Sequence, residues 1–359
     1  MARTTSFVLI SAGAVLFGLA AILLAPSRAF LLAIAAPYLP PRLVPAPVVT
    51  DPDRDVTYIG TRSADLAVEH FHNIFYAEDT SGPNRFAPPV PASPTRGSVI
   101  DATAPGAWCP QGTGDVLPFT SRVTDISEDC LSLRIARLRG TGGPESKLPV
   151  AVWLHGGGHA LGSGEEVLYE PDGLLRQAVL DGQPLVFVAI NYRLGFFGFA
   201  TGPAMVAAGQ TNAGLRDQRA ALEWVRDHIA SFGGDPARVT AIGQSVGGSD
   251  IGLQMTAFGG SKGVPFQRAV MMSGAPGLNF NTMSDLVADN TAMVARGSGA
   301  WRRELMLTRK WCWHVCEKPL LTSWRISPSV RCGRRGLRSA RASSSQPTTA
   351  TSSRIVCPN

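Results

Sequence analysis

Apolar runs alternate with segments of mixed polarity through the middle of the chain, and their lengths predict strands and helices in turn. Residues 148–154 and 184–190 are almost continuously apolar and of strand length, which suits strands covered on both faces of a sheet. Between residues 215 and 229 the apolar positions recur at helical spacing, with charges between them. Residues 238–242 and 268–274 predict two further strands. Strands and helices joined by short loops predict an α/β domain with a mostly parallel central sheet and flanking helices.

A serine between two glycines follows the predicted strand at 238–242. Residues 243–247 are Gly-Gln-Ser-Val-Gly, and a helix-compatible segment comes next. This is the G-x-S-x-G pattern of a nucleophile elbow, in which a sharp turn exposes the serine hydroxyl at the carboxyl edge of a sheet. Glycines are required there because a side chain would collide with the neighbouring strand or helix. The pattern predicts Ser245 as a nucleophile; an ordinary glycine turn is the alternative, because Gly and Ser are common in loops.

Three successive glycines follow the apolar run at 148–154. Residues 155–159 are His-Gly-Gly-Gly-His. Backbone N–H groups in such a segment can converge on one point without side chains between them, as an oxyanion hole requires. A plain flexible loop is the alternative.

Charge is distributed unevenly along the 359 residues, whose formal net charge is +6. Residues 297–359 hold twelve Lys and Arg against two Asp and Glu, whereas residues 1–296 hold 21 against 25. The basic excess therefore belongs to the tail, and we expect no nucleic-acid partner for the mildly acidic body.

The start of the chain resembles a targeting segment. An uncharged, mostly apolar run covers residues 6–26, and a second apolar run follows after a short break. Residues 1–37 therefore predict a secretory signal peptide or a signal anchor, with membrane anchoring through 6–26 as the second outcome. A proline-rich linker is predicted at 38–54. We expect a protein of the secretory pathway, either secreted or membrane-anchored.

Two of the six cysteines, Cys109 and Cys130, lie in the body of the chain, and four lie in the tail. In a secreted chain, a body with only these two cysteines predicts a disulfide between them. Free buried cysteines are the alternative.

Together these motifs resemble the type-B carboxylesterase/lipase family, the cholinesterase-like branch of the α/β-hydrolases, over residues 55–296. The matching segments, in chain order, are 71–77, 85–86, 109–111, 127–131, 155–158, 191–195, 212–218 and 243–248. The resemblance implies an α/β-hydrolase fold and hydrolysis of carboxylic esters through an acyl-serine intermediate, with no metal or organic cofactor.

The resemblance also implies roles for particular residues. Ser245 would be the nucleophile, and the N–H groups of Gly157, Gly158 and Val246 would form the oxyanion hole. Cys109 and Cys130 would form the first disulfide of the family. Ser273 would be a buried serine near the catalytic residues.

Some positions depart from the family pattern. Gln244 and Val246 stand where Glu and Ala are usual, and His159 stands where an aromatic residue is commoner. The loop between the two cysteines contains no tryptophan, which argues against a cationic choline site. A small neutral ester or a lipid-like molecule is therefore the expected substrate.

A histidine base and an acid that match the family pattern are absent after Ser245. Of six histidines only His314 follows it, in a context unlike the family's histidine loop. His155 or His159 could act as a substitute base only outside that pattern. We therefore expect no ester turnover from the chain as given; a non-catalytic binding protein of the same fold and a dead fragment are the alternatives.

The tail at 297–359 matches neither the family nor any periodic pattern. We interpret it as the product of a shifted reading frame or an unspliced intron, with an expressed, disordered basic tail as the alternative. The α/β-hydrolase fold is accordingly expected to be incomplete at the C-terminus.

Overall fold

The computed structural model describes residues 44–65, 67–112, 123, 125–276 and 284–297. The predicted targeting segment at 1–37 and the tail after residue 297 lie outside these ranges. Ten strands occur in the described part of the chain. They are β1 Val48–Asp51, β2 Val56–Ile59, β3 Thr61–Arg62, β4 Val68–Phe75, β5 Val99–Asp101, β6 Ser132–Leu138, β7 Leu148–Leu154, β8 Val186–Ile190, β9 Gly234–Gln244 and β10 Arg268–Met272.

Six α-helices accompany these strands over the described ranges. They are α1 Asp172–Leu180, α2 Gly195–Phe199, α3 Pro203–Ala207, α4 Ala213–His228, α5 Val246–Thr256 and α6 Ser284–Gly297. Helix α4 confirms the helix expected from the apolar spacing at 215–229. Among the residues with described positions, no helix has both the length and the apolar character that a membrane crossing requires.

Seven strands form the central sheet, in the order β10-β9-β7-β8-β6-β4-β3. The four strands from β10 to β8 run parallel, and the pairs β8/β6, β6/β4 and β4/β3 are antiparallel. The sheet is therefore mixed, with its parallel half next to the predicted nucleophile. A smaller sheet of β1, β2 and β5 lies apart from it, and β1 falls inside the segment predicted as linker.

The core forms where helix α4 covers the parallel half of the sheet. Every residue of β8 is buried, as its unbroken apolar sequence predicted. Leu222 and Val225 of α4 are fully buried in the same cluster as Val152 of β7 and Val188 of β8. Burial of side chains of this size contributes roughly 1.5–3 kcal/mol each, which fixes the strand ends that carry the site.

A buried ion pair fastens the loop after β8 to helix α4. The Arg193 guanidinium donates to both carboxylate oxygens of Asp217, from Nη2 at 2.7 Å and from Nε at 2.8 Å. The backbone N–H of Arg193 also donates to Asp217, at 3.0 Å. The Asp217 side chain is 0% exposed and that of Arg193 is 2% exposed. Either charge left alone at this depth would be costly, so the two residues depend on each other.

Replacing Asp217 with Asn should therefore destabilise the fold strongly. The change leaves the Arg193 charge buried without its partner, and we expect a loss of about 3–5 kcal/mol in the free energy of unfolding. The matched control is Asp227→Asn, because Asp227 pairs with Arg226 at the surface, where both side chains are 49% exposed. That change should cost less than about 1 kcal/mol. Urea denaturation of the three proteins measures the difference, and equal losses would contradict this account.

Candidate active site

Ser245 occupies the turn between strand β9 and helix α5. Strand β9 ends at Gln244 and α5 begins at Val246, so one residue makes the whole connection. Its backbone has φ 56° and ψ −127°, a left-handed φ that a residue with a Cβ rarely adopts. Its N–H donates to the Met272 carbonyl of β10 at 2.8 Å, and its own carbonyl accepts from Ser249 N–H at 3.1 Å. Neighbouring elements thus hold the strained conformation in place.

Glycines surround this turn because backbone segments meet there directly. A Cβ on Gly243 would overlap the Gly247 carbonyl, and a Cβ on Gly247 would overlap the Leu154 carbonyl at the end of β7. A Cβ on Gly274, just after β10, would overlap the Ser245 carbonyl. The ends of β7, β9 and β10 and the start of α5 are therefore packed backbone to backbone.

The loop after β7, residues 155–164, lies against Ser245 and is called the glycine loop below. A Cβ on Gly156 would be 3.0 Å from the Ser245 Cβ and 2.7 Å from the Gln244 carbonyl. Gly157 and Gly158 follow with φ 114° and φ 63°. Their N–H groups donate to no other residue of the described ranges. Val246 opens helix α5, so its N–H has no partner within that helix. The structure thus brings the four residues proposed for the site into one region.

Two polar side chains anchor the glycine loop from outside. The Gln111 side chain exchanges two hydrogen bonds with the Gly162 backbone, each at 2.9 Å. The Asn191 side-chain oxygen accepts from Ser163 Oγ at 2.9 Å and from Gly164 N–H at 2.8 Å. Gln111 is two residues from Cys109, which is disulfide-bonded to Cys130 as predicted. The disulfide therefore restrains the glycine loop indirectly, through the hydrogen bonds of Gln111.

His155 is buried at the base of the loop and does not contact the serine hydroxyl. Its Nδ1 lies 2.8 Å from the Gly156 carbonyl, so in the neutral ring Nδ1–H donates to that oxygen. The ring stacks on Tyr192 with a centroid separation of 4.3 Å. Burial lowers the pKa of His155 to about 4, because a charged imidazole would lose its hydration there.

The His159 imidazole contacts the Asp250 carboxylate and does not contact Ser245. Its Nε2 lies 2.9 Å from both carboxylate oxygens of Asp250, on helix α5. Within the described residues, Ser245 Oγ forms no hydrogen bond with either imidazole. Sequence reasoning missed the pairing with Asp250, because the two residues are far apart along the chain and no local pattern connects them.

Ser273 directly follows Met272, whose carbonyl accepts from the Ser245 N–H, so it lies near the predicted nucleophile as expected, but its expected burial is wrong. Ser273 is exposed, with φ 52°, directly after β10. Strand β10 is the outermost strand of the central sheet as described, so within the described ranges no further strand pairs with its outer edge.

A serine strained between a parallel strand and a helix, at the edge of a sheet of this order, is the arrangement of an α/β-hydrolase. The sequence profile of the Carboxylesterase family matches residues 57–308, which is more than half of the chain. The chain therefore belongs to the carboxylesterase family.

Individual relatives agree with this assignment. The chain is 45% identical over 252 residues to an inactive carboxylesterase-like protein of Byssochlamys spectabilis, an alignment that covers 70% of this chain and 42% of the relative. It is 44% identical over 248 residues to a secreted lipase of Arthroderma benhamiae, covering 68% and 43%. A solved structure of PNB esterase superposes with a TM-score of 0.61 at 33% identity, covering 75% of this chain and 53% of that one. The chain thus spans about half the length of these relatives.

The low pKa of His155 predicts a specific loss of stability in acid. The unfolded chain binds a proton near pH 6.5 and the folded chain only near pH 4, so the stabilisation is complete above pH 6.5 and is lost as the pH falls towards 4. The expected contribution is about 3 kcal/mol. The glutamine in His155→Gln cannot titrate. As the pH falls from 6.5 to 4, the free energy of unfolding of this variant should therefore decrease less than that of the unaltered protein. Urea denaturation at several pH values measures both; parallel curves would show that His155 is not responsible.

Proposed function

We propose that Ser245 is the nucleophile of a serine hydrolase that cleaves small neutral esters or lipid-like esters. The observation that carries the proposal is the strained backbone of Ser245 beside a glycine loop with unengaged N–H groups. A non-glycine residue at φ 56° costs on the order of 1–3 kcal/mol, and such strain is concentrated at functional sites. Unengaged N–H groups beside it suit an oxygen that gains negative charge.

The proposed reaction is acyl transfer in two steps. Ser245 Oγ attacks the ester carbonyl carbon while a general base takes its proton. The carbonyl oxygen, now negatively charged, accepts hydrogen bonds from the N–H groups of Gly157, Gly158 and Val246. The intermediate then collapses, the alcohol leaves with the proton, and a water molecule hydrolyses the acyl-Ser245 ester in the same way. Turnover requires a base from outside the described residues, because neither His155 nor His159 contacts Ser245.

The proposal extends to the substrate class, the export and the domain division of the protein. A relative named as a secreted lipase supports ester or lipid substrates and export through the secretory pathway. Residues 1–37 would direct that export, as a cleaved signal or as an anchor through 6–26. The domain division is also part of the proposal: the hydrolase domain at 55–296 and a tail at 297–359, whereas the predicted linker at 38–54 is interrupted by β1, which pairs with β2.

A non-catalytic binding role is the second candidate. Two observations favour it: a 45%-identical relative is named as inactive, and no described imidazole is available to Ser245. In that case the surface around Ser245 would bind a ligand without turning it over.

A fluorophosphonate probe separates the two candidates. It reacts with an activated serine, so labelling of the purified full chain that is lost completely in Ser245→Ala would support the catalytic role. The control is Ser261→Ala, which alters an exposed serine outside the site and should leave labelling intact. Mass spectrometry of the labelled peptide identifies the residue. A folded protein that takes up no probe would favour the binding role.

Gly156→Ala should slow that labelling without removing the nucleophile. The added methyl group would press on the Gln244 carbonyl and the Ser245 Cβ, so the glycine loop must shift away from Ser245. A displacement of about 1 Å costs roughly 10- to 100-fold in reaction rate, so we expect labelling of Ser245 to slow by that factor. Gly173→Ala is the control, because a Cβ there meets nothing within 4 Å. The second-order rate constants for labelling of the two variants are compared. Equal rate constants would show that the position of the glycine loop does not affect the reactivity of Ser245.

A further inference from the structure

We propose that His159 and Asp250 form a brace between the glycine loop and helix α5, and that His159 is a positioning residue for the site. His159 directly follows Gly158, and Asp250 lies five residues after Ser245 on α5. The single nitrogen Nε2 of His159 lies 2.9 Å from each oxygen of the Asp250 carboxylate. One short contact therefore joins the segment with the candidate oxyanion donors to the helix that follows the nucleophile.

The partners of this contact are deeply buried. Asp250 is 0% exposed, and the side chain of His159 is 11% exposed. Gln218 Nε2 of helix α4 also donates to Asp250, at 2.6 Å. A buried carboxylate needs such partners, because its hydration is lost without them. Asp250 thus provides a fixed point, held from two helices, to which the loop is attached.

His159 is held at its ring and at its backbone. The ring stacks on Phe199 of helix α2, with a centroid separation of 4.2 Å. The backbone has φ 57°, and its carbonyl accepts a hydrogen bond from Gly195 N–H at 2.6 Å. The residue next to Gly158 therefore has little freedom to rotate. The peptide group that joins Gly158 to His159 is restrained as a consequence, which limits how far Gly158 can move.

The pairing also has an electrostatic consequence, which rests on the proposed function. Asp250 lies in the second turn of α5, close to the helix start that would face the developing oxyanion. An uncompensated carboxylate there would oppose negative charge on the substrate oxygen. The hydrogen bonds from His159 and Gln218 stabilise the Asp250 carboxylate, and the one from His159 also holds the loop.

Hydrogen exchange tests the brace without any need for activity. The N–H groups of Ala160 and Leu161 donate to the Gly157 carbonyl, and that of Gly162 donates to Gln111. Exchange of these three amides, measured by mass spectrometry on the full chain, reports opening of the loop. We expect His159→Ala to accelerate it about tenfold, because hydrogen bonds to charged groups are among the stronger ones. Unchanged exchange would overturn the proposal.

Two further variants separate the brace from general destabilisation. His159→Gln places an amide N–H near the position of Nε2 and should restore most of the protection, while every variant keeps a Cβ at the same positive φ. His228→Ala is the matched control, because His228 Nδ1 contacts the buried Asp51 at 3.0 Å on another part of the fold. It should leave exchange at 160–162 unchanged. Equal acceleration by His228→Ala would overturn the proposal.

Kinetics of fluorophosphonate labelling tests the effect on the site. His159→Ala should lower the limiting rate of Ser245 labelling about tenfold, with the apparent binding constant for the probe changed less than twofold. An unchanged limiting rate would overturn the positioning role. If the unaltered protein is not labelled at all, the proposed function fails, and the exchange measurement alone decides whether the brace exists.

Discussion

The site depends on a direct backbone contact where strands β7, β9 and β10 end and helix α5 begins. No side chain fits between these segments, so glycine is required at Gly243, Gly247 and Gly274. The strained Ser245 is the one residue with a side chain at the centre of this contact, and its N–H is held by β10. The buried parallel strands place the backbone, the backbone forces the serine into its conformation, and the conformation determines where the hydroxyl lies. The geometry of this position is therefore a consequence of sheet packing.

A second set of contacts, made by polar side chains, holds the glycine loop. It differs from the first set, which consists of backbone packing around Ser245. Gln111, Asn191 and the pair of His159 with Asp250 each attach a different part of the loop to a different element. Buried polar groups of this kind are costly unless every one has a partner, so they tolerate few alternative arrangements. Hydrogen bonds are directional, so these polar contacts define the position of the loop more narrowly than apolar packing alone would.

The apolar pattern of the sequence was sufficient for strands β7 and β8 and helix α4, because each signal is local and its period is set by the backbone. The elbow and the triple glycine were recognisable for the same reason. Contacts between distant residues were not accessible in this way. Nothing in the sequence near His159 or Asp250 indicates that they meet, because their pairing exists only after the sheet forms. The exposure of Ser273 was missed because burial depends on which strands lie beside β10, and local sequence does not contain that information.

Acyl transfer needs a nucleophile, anion-binding N–H groups and a base, and the described residues have the geometry proposed for the first two. A strained serine and unengaged N–H groups lie together, whereas the imidazoles nearby have other partners: His155 the Gly156 carbonyl and His159 the Asp250 carboxylate. The strain at Ser245 is maintained by packing and does not require a base, so the same geometry would persist in a protein that binds without turnover. Retention of the elbow is thus a record of ancestry and of fold. Catalysis depends on whether a proton acceptor reaches Ser245, because the remaining parts of the site are already placed by contacts that the fold needs for itself.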